Sequence, residues 1–360
     1  VDGSEVFVRK AVDEGRVAYG ITTGFGHFAT VTIPRDRVED LQKNLIRSHA
    51  VGVGEPLPDD VVRAIMALRI NCLLRGRSGV RAETLQALAA MLNADIVPLV
   101  PCQGSVGASG DLAPLAHVAL ALMGEGTVRG GCGTGPAAEV LGRAGLAPVV
   151  LQAKEGLALI NGTQGMTALL ALAASLARRL VKEADVAGAL SLETLRGTRR
   201  AFDPRVHAER PHPGQVASAR NLWRLLEDSP VSRSHSECGK VQDAYSLRCM
   251  PQVHGAVRDA VGYVERVLAV EMNAATDNPM IFAGDGEILS GGNFHGAPAA
   301  LAADLLSAAL TDLASISERR CARLVDGRFS GLPDFLVREG GLNSGFMMVQ
   351  VTAAALVSEC

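Results

Sequence analysis

Residues 104–118 read Gly104-Ser105-Val106-Gly107-Ala108-Ser109-Gly110-Asp111-Leu112-Ala113-Pro114-Leu115-Ala116-His117-Val118. Small residues crowd the first half, and an apolar helical pattern starts abruptly in the second. The plainest reading is a helix cap, with Ser109 or Asp111 taking the first free N–H groups and the glycines permitting the turn. Anion binding at the helix start is a second reading. Neither GxGxxG nor GxxxxGK[ST] is present, so the nucleotide signals fail. A nucleophile elbow around Ser109 needs glycine at 107 and 111, and position 111 is Asp.

A further reading uses Ala108, Ser109 and Gly110 together. Attack of the Gly110 nitrogen on the Ala108 carbonyl closes a five-membered ring and releases water. Ser109 then loses its hydroxyl as a second water. The product is a 4-methylidene-imidazole-5-one, an electrophilic alkene made from backbone. Gly110 has no Cβ to obstruct closure. Ser109 supplies the leaving hydroxyl, and Ala108 is small enough for a compressed turn.

Outward from this loop the pattern is helical. Of the 360 residues 48% are apolar and only 4% aromatic, and Ala and Leu supply much of the apolar share. Helices are expected over 5–17, 36–49, 59–75, 82–93, 111–123, 136–144, 165–195, 251–274 and 297–324. Asp59 and Asp60 suit the positive end of the 59–75 helix, and Gly76 its stop. Pro98 and Pro101 predict that 96–101 is extended but outside any ladder. A small hairpin is expected from 280–282 and 287–289 across Gly284-Asp285-Gly286. Pro204, Pro211 and Pro213 mark an irregular stretch. Long Ala/Leu helices bury their stripes against one another, so the fold class is mainly α: a long-helix bundle core with a loop-rich N-terminal region. Residues 1–160 are expected to carry the loop, and 161–360 the bundle, incomplete at its C-terminus.

A formal net charge of −3 signals neither nucleic acid nor an anionic membrane as partner. The Arg-rich segment 196–224 reads as solvated or subunit-facing. Seven cysteines stand singly at 72, 102, 132, 238, 249, 321 and 360, without a CxxC. That usage suits a reduced, cytoplasmic protein rather than a disulfide framework. His207-x4-His212 and His235-x2-Cys238 are incomplete as metal sites, and no metal is expected. The apolar run Met166–Ala177 meets Arg178 and Arg179 too early to span a bilayer, and no signal peptide is visible. The chain starts at Val1 and stops at Cys360 inside an apolar helical pattern, as expected of a piece clipped at both ends.

The run Gly107–Leu115 resembles the signature of the aromatic amino-acid ammonia-lyases. Five more motifs in the same order carry the resemblance along the whole chain. They are Tyr19–Gly26, Asn161-Gly162-Thr163-Gln164, Gln242-Asp243-Ala244-Tyr245-Ser246-Leu247-Arg248, Thr276-Asp277-Asn278-Pro279 and Gly291-Gly292-Asn293-Phe294-His295-Gly296. The resemblance implies elimination of ammonia with the ring from Ala108-Ser109-Gly110 as electron sink, and no separate cofactor. It also implies a homotetramer whose sites draw loops from several subunits.

By the same resemblance Tyr19 is the base that takes the substrate's β-proton; a phenol needs nearby dipoles or cations to do so near neutrality. Arg248 grips the substrate carboxylate. Tyr245 and Gln242, three and six residues earlier, would line one wall with it on a helix. Asn161 is placed near the carboxylate or the electrophile, and Phe294 against the ring or the substrate. Members acting on histidine carry Ser-His where this chain has Ser48-His49; those acting on tyrosine tend to His-Leu and on phenylalanine to Phe-Leu. His49 therefore implies L-histidine as substrate and trans-urocanate as product, since an apolar pair would leave a buried imidazole unsatisfied.

Thr22-Thr23 also occurs in some aminomutase relatives, so a tyrosine or phenylalanine lyase or an aminomutase is the related alternative. A non-catalytic fragment or assembly partner is the alternative of another class. The family chain continues past the point matching Cys360 into a segment with a Gln-Glu pair near the substrate. A 360-residue piece alone is therefore expected to be weak or inactive.

Overall fold

The structure, a computed structural model, describes residues 1–360 except Cys132 and Ser236, so one of the seven cysteines lies outside the described residues. In chain order the elements begin with α1 (Asp2–Asp13), α2 (Val38–His49), β1 (Val53–Pro56), α3 (Asp59–Leu74), α4 (Ala82–Asn93), β2 (Val97–Pro98) and β3 (Pro101–Gln103). Then come α5 (Leu112–Leu122), β4 (Thr127–Arg129), β5 (Gly135–Pro136), α6 (Ala137–Arg143), α7 (Glu155–Ile160) and α8 (Gln164–Thr194). Next are α9 (Pro204–Ala208), α10 (Pro213–Leu225), α11 (Pro230–Ser234), α12 (Tyr245–Arg248) and α13 (Met250–Glu271). The chain ends with β6 (Met280–Phe282), β7 (Glu287–Leu289), α14 (Ala297–Val325), α15 (Gly327–Ser330) and α16 (Met347–Glu359).

Most helices lie where the apolar period puts them. The first differs: α1 starts at Asp2 and ends at Asp13, because Gly15 turns the chain at φ +66°. The prolines at 98 and 101 do enter ladders, against expectation. β2 pairs β4 and β1 pairs β3, both antiparallel. Each ladder is short enough for a neighbour to supply the missing donor: Leu99 N–H reaches Thr127 O and Leu57 N–H reaches Val100 O.

The chain packs as two compact units, Val1–Leu172 with Val267–Ala300 and Ala173–Arg266 with Leu301–Cys360. This division cuts α8, α13 and α14 internally, rather than falling between residues 160 and 161.

In the first unit α2, α5 and α7 pack pairwise. Leu45 and Ile46 of α2 meet Leu115, Ala116 and Ala119 of α5 and Leu157, Ala158 and Ile160 of α7 in one core. Charge anchors the start of α7. Glu155, buried, accepts from Arg81, Thr84 Oγ1 and the Gln152 N–H. Beside it Lys154, in the left-handed region at φ +73°, pairs with Asp277 at 2.8 Å, and neither side chain touches solvent. Burial pushes the Lys154 ammonium down, opposed by Asp277. Removing one partner of such a pair costs about 3–5 kcal/mol, since the other charge stays buried.

In the second unit Ala189 and Leu192 of α8 and Leu195 just after it join Phe202, Leu222, Leu247, Met250 and Ile316 in a separate core. The Arg-rich segment is partly ordered by stacking, with Arg199 lying 4.2 Å over the Trp223 ring.

The Met166–Ala177 run, expected to end too early at Arg178 and Arg179 to span a bilayer, lies within a longer helical stretch. Glu155–Thr194 and Ala297–Val325 are both long and apolar enough by composition, because the helix runs on through the exposed Arg178 and Arg179. The apolar window of the first is 72% buried, as in a core helix, and that of the second only 22%.

Two histidines give a prediction on pH. Burial pushes both His117 and His254 below the ordinary imidazole value of 6.5. Around and below that value the unfolded chain binds protons that the native chain refuses. Stability is therefore full above it and falls as pH drops through it. His117→Gln is expected to flatten that fall in melting temperature between pH 8 and pH 5; an unchanged slope would refute the assignment.

Candidate active site

The Ala108–Gly110 loop sits between β3 and α5 and is compressed to a single tight turn. Ser109 N–H bonds Val106 O at 2.9 Å and Gly110 N–H bonds Gly107 O at 3.2 Å. Gly110 takes φ +81°, and a Cβ there would stand 2.9 Å from Gly162 O. Only glycine fits both the angle and the space. Ala108 and Ser109 are exposed, while Gly110 is buried.

Five neighbours clamp the turn within the first unit. Asn161, at the end of α7, donates Nδ2–H to Ser109 O at 3.3 Å. Asp111 N–H bonds Gly162 O at 2.7 Å, and Gly296 N–H bonds Gly107 O at 2.9 Å. The Phe294 carbonyl lies against Gly110 as well, so this residue meets the loop through its backbone. Met166 packs on both Gly107 and Gly296, where a Cβ would strike its thioether end.

The helix-cap reading is corrected here. Asp111 stands at the N-cap of α5, but its side chain makes no cap bond. It turns away, accepting from Ser105 Oγ at 2.5 Å and from the Met166 N–H at 2.8 Å. At 2% exposure, burial pushes its carboxyl up, against these hydrogen bonds. Asp111 thus ties the loop's first half to the start of α8. Asp111→Ala is expected to cost about 2–4 kcal/mol through the orphaned donors. It should also lower the fraction of chains that lose two waters from the 108–110 peptide, read by intact mass; an unchanged fraction would count against the clamp.

Beneath the loop runs a second polar layer that sequence reasoning missed. Arg69, fully buried, donates to Gln164 Oε1 at 2.7 Å and to the Ala158 carbonyl. Gln164 Nε2–H in turn donates to Thr276 Oγ1 at 2.8 Å. A Cβ on Gly162 would strike Arg69, Gln164 and Thr276. The motifs around Asn161 and Thr276 held the signal for these contacts, since buried polar residues need partners. Arg69 carried no such signal.

Tyr19 is half-buried in its Gly-rich loop. Its ring meets Phe25 edge to face, centroids 6.4 Å apart, and the Gly26 N–H donates to its phenol oxygen at 3.2 Å. Thr22 and Thr23 are buried and serve the loop itself. Thr22 Oγ1–H donates to Arg16 O at 2.7 Å, and Thr23 Oγ1 takes the Gly20 N–H.

His49 ends α2, half-buried. Its Nδ1 lies 2.9 Å from Leu45 O and 3.0 Å from Ser48 Oγ. A carbonyl can only accept, so Nδ1 carries the proton and Nε2 presents a lone pair. The following turn is held by His117 of α5, whose Nε2 accepts the Gly52 N–H at 3.1 Å. Val53 then pairs with Gln103, just before the loop. His49, the 108–110 loop and Asn161 therefore stand at the ends of three mutually packed helices.

The second unit carries Gln242, Tyr245 and Arg248. The expectation of one helical wall is corrected, because α12 covers only Tyr245–Arg248 and Gln242 lies in irregular chain before it. Tyr245 is 73% exposed, and the Arg248 guanidinium lies 4.4 Å over its ring. Arg248 Nε–H also donates to Asp243 O at 3.0 Å. Among the described residues no cluster of three or more His, Cys, Asp or Glu side chains could hold a metal.

A helical fold that carries a clamped Ala-Ser-Gly turn, with a half-buried tyrosine in a Gly-rich loop of the same unit, agrees with the lyase class that the sequence motifs resemble. The family model described as aromatic amino acid lyase matches residues 1–360. The chain is similar to the histidine ammonia-lyase of Gloeobacter violaceus, 58% identical over 357 residues, covering 99% of this chain and 70% of that protein. It is similar to that of Caldanaerobacter subterraneus at 55% over 356 residues, with the same coverage of both. Among solved structures, histidine ammonia-lyase from Trypanosoma cruzi superposes with a TM-score of 0.90 at 46% identity, covering 100% of this chain and 67% of that one. A tyrosine aminomutase from Streptomyces globisporus does so at 0.93 and 41%, covering 99% and 71%. The chain belongs to the aromatic amino acid lyase family.

Proposed function

We propose that this protein, a carbon–nitrogen lyase, converts L-histidine to trans-urocanate and ammonia, using an electrophile closed from Ala108, Ser109 and Gly110. The observation that carries the reading is the compressed turn at 107–110, with glycine required at 110 and a donor from Asn161 on Ser109 O. These residues fit the methylidene-imidazolone: the turn is already tight, and Gly110 brings no Cβ to the closure. Once formed, that group supplies an electron sink for departure of the amine.

The chain's own residues do the remaining work. Asn161 holds Ser109 O, the oxygen on which charge would gather. Tyr19 takes the β-proton, and the Gly26 N–H steadies negative charge on its oxygen. Arg248, flattened on Tyr245, offers a planar fork to the carboxylate. Gln242 and Phe294 complete the set that holds the substrate.

Beside the Ser48-His49 pair itself, which relatives acting on tyrosine tend to replace with His-Leu, histidine is favoured over phenylalanine by the fixed tautomer of His49. Its Nε2 lone pair accepts an N–H from the substrate imidazole, which a phenyl ring lacks. The test is a substrate panel followed by absorbance of the unsaturated product. L-histidine should give urocanate, and His49→Leu should lower kcat/KM for histidine about 100-fold or more while improving tyrosine relative to it. Equal turnover of tyrosine by the unaltered protein would sink the histidine reading.

A homotetramer is the matching assembly. Leu176, Leu180 and Leu190 of α8 and Leu301 and Leu305 of α14 are all exposed on the single chain, and Leu176 and Leu180 share one helix face. Apolar side chains on long helices of this kind are what subunit contacts cover.

A further inference from the structure

A buried chain of charged groups runs through the second unit and is not used by the chemistry above. Asp185 of α8 and His254 of α13 are both 0% exposed, and Arg320 of α14 is 3% exposed. Asp185 Oδ1 accepts from His254 Nδ1–H at 2.8 Å. With its proton on Nδ1, His254 offers the Nε2 lone pair, which faces Arg320 Nη1 at 3.4 Å. The other Asp185 oxygen takes Arg258 at 2.5 Å and Asn221 at 2.9 Å. Arg258 Nε–H in turn donates to Ser218 Oγ at 2.7 Å. Arg320 is held from its far side as well, donating to Ser317 Oγ at 2.9 Å.

The chain of contacts ends at α12. Arg320 Nη1–H donates to the Ser246 carbonyl at 3.3 Å. Four residues are too few for a helix to hold itself. The Ser246 side-chain oxygen is buried without a partner among the described residues, so the residue is fixed through its backbone. Tyr245 stands immediately before Ser246, and Arg248 two residues after it. A cleft of about 720 Å³ opens beside them, lined by Tyr245, Ser246, Cys249, Ile316, Arg319 and Phe329, among others. Burial pushes the Arg320 guanidinium down to about 10. An arginine kept under that strain of desolvation is better explained by a geometric task than by stability, since an apolar side chain of similar volume would fill the space at less cost.

We propose that Arg320 is a positioning residue: oriented by His254 and Asp185, it sets α12 and with it the grip of Tyr245 and Arg248 on the substrate carboxylate. This rests on the reading that Arg248 binds that carboxylate. Relaxing α12 weakens recognition of the carboxylate and leaves the electrophile and the proton transfer alone.

The test compares L-histidine with histamine, which keeps the imidazole and amine but lacks the carboxylate, in Arg320→Met, His254→Leu and His254→Gln. Arg320→Met and His254→Leu should raise KM for L-histidine about tenfold, the effect of one lost buried hydrogen bond. Their kcat, the two-water mass deficit and inhibition by histamine should stay nearly unchanged. His254→Gln should restore KM, because an amide donates to Asp185 and accepts from Arg320. An unchanged KM in both variants, or an equal weakening of histamine, would overturn the proposal. If Arg320→Met does not fold, the contrast between His254→Leu and His254→Gln decides on the same readouts. Failure of the underlying reading looks different: Arg248→Met would then leave the ratio of histidine to histamine affinity as it was.

Discussion

Replacing Ser109 by alanine is expected to lower kcat on the order of 1000-fold or more, because the covalent route is lost and not merely weakened. Alanine has no hydroxyl to expel, so the alkene cannot form even if the ring closes. The clamp should survive the change. Ser109 contributes its carbonyl to Asn161 and its N–H to Val106 O, both backbone groups that alanine keeps. The variant should therefore fold with an unchanged melting temperature and still bind histidine. Intact mass checks it directly: the unaltered protein should lose two waters from the 108–110 peptide, and the variant at most one. Full activity in Ser109→Ala would remove the electrophile from the mechanism.

Tyr19→Phe is expected to lower kcat about 100- to 10,000-fold, the usual worth of a positioned base, with KM little changed. Phenylalanine keeps the edge-to-face contact with Phe25 and loses only the oxygen that the Gly26 N–H meets. The two-water deficit should persist, which separates this loss from that of Ser109→Ala. A variant that keeps most of its kcat would place the base elsewhere. Thr22 and Thr23 do not compete for the role, since both hydroxyls are committed to the loop's own backbone.

Much of the helical frame was legible because burial along a helix repeats with its turn. The spans of α3 and α4 and the hairpin of β6 and β7 follow from local pattern and punctuation. The ladders at Pro98 and Pro101 were not legible. Their donors come from Leu99 and Leu57, and a proline's effect depends on which neighbour supplies the missing bond. The cap at Asp111 misled for a similar reason. Its position in the chain is that of a cap, but a better-placed N–H from Met166, far along the sequence, took its carboxylate. Gln242 was drawn onto a helix by spacing alone, and spacing cannot tell a four-residue turn of helix from a longer one.

The sequence by itself determined the chemistry that three adjacent residues can undergo. Ring closure involves atoms of three consecutive residues, and the requirements for a missing Cβ, a leaving hydroxyl and a small neighbour are written at 110, 109 and 108. Its motifs also determined the family. Only the tertiary structure decided what holds that turn compressed: Asn161, Gly162 and Gly296 arrive from distant chain, and Asp111 closes on Met166. It likewise decided the tautomer of His49, through a carbonyl one turn back in α2, and the buried line from Asp185 to Ser246. The physical reason is common to all of these. A residue's covalent options are local, whereas its hydrogen-bond partners are chosen by whichever groups packing brings within reach.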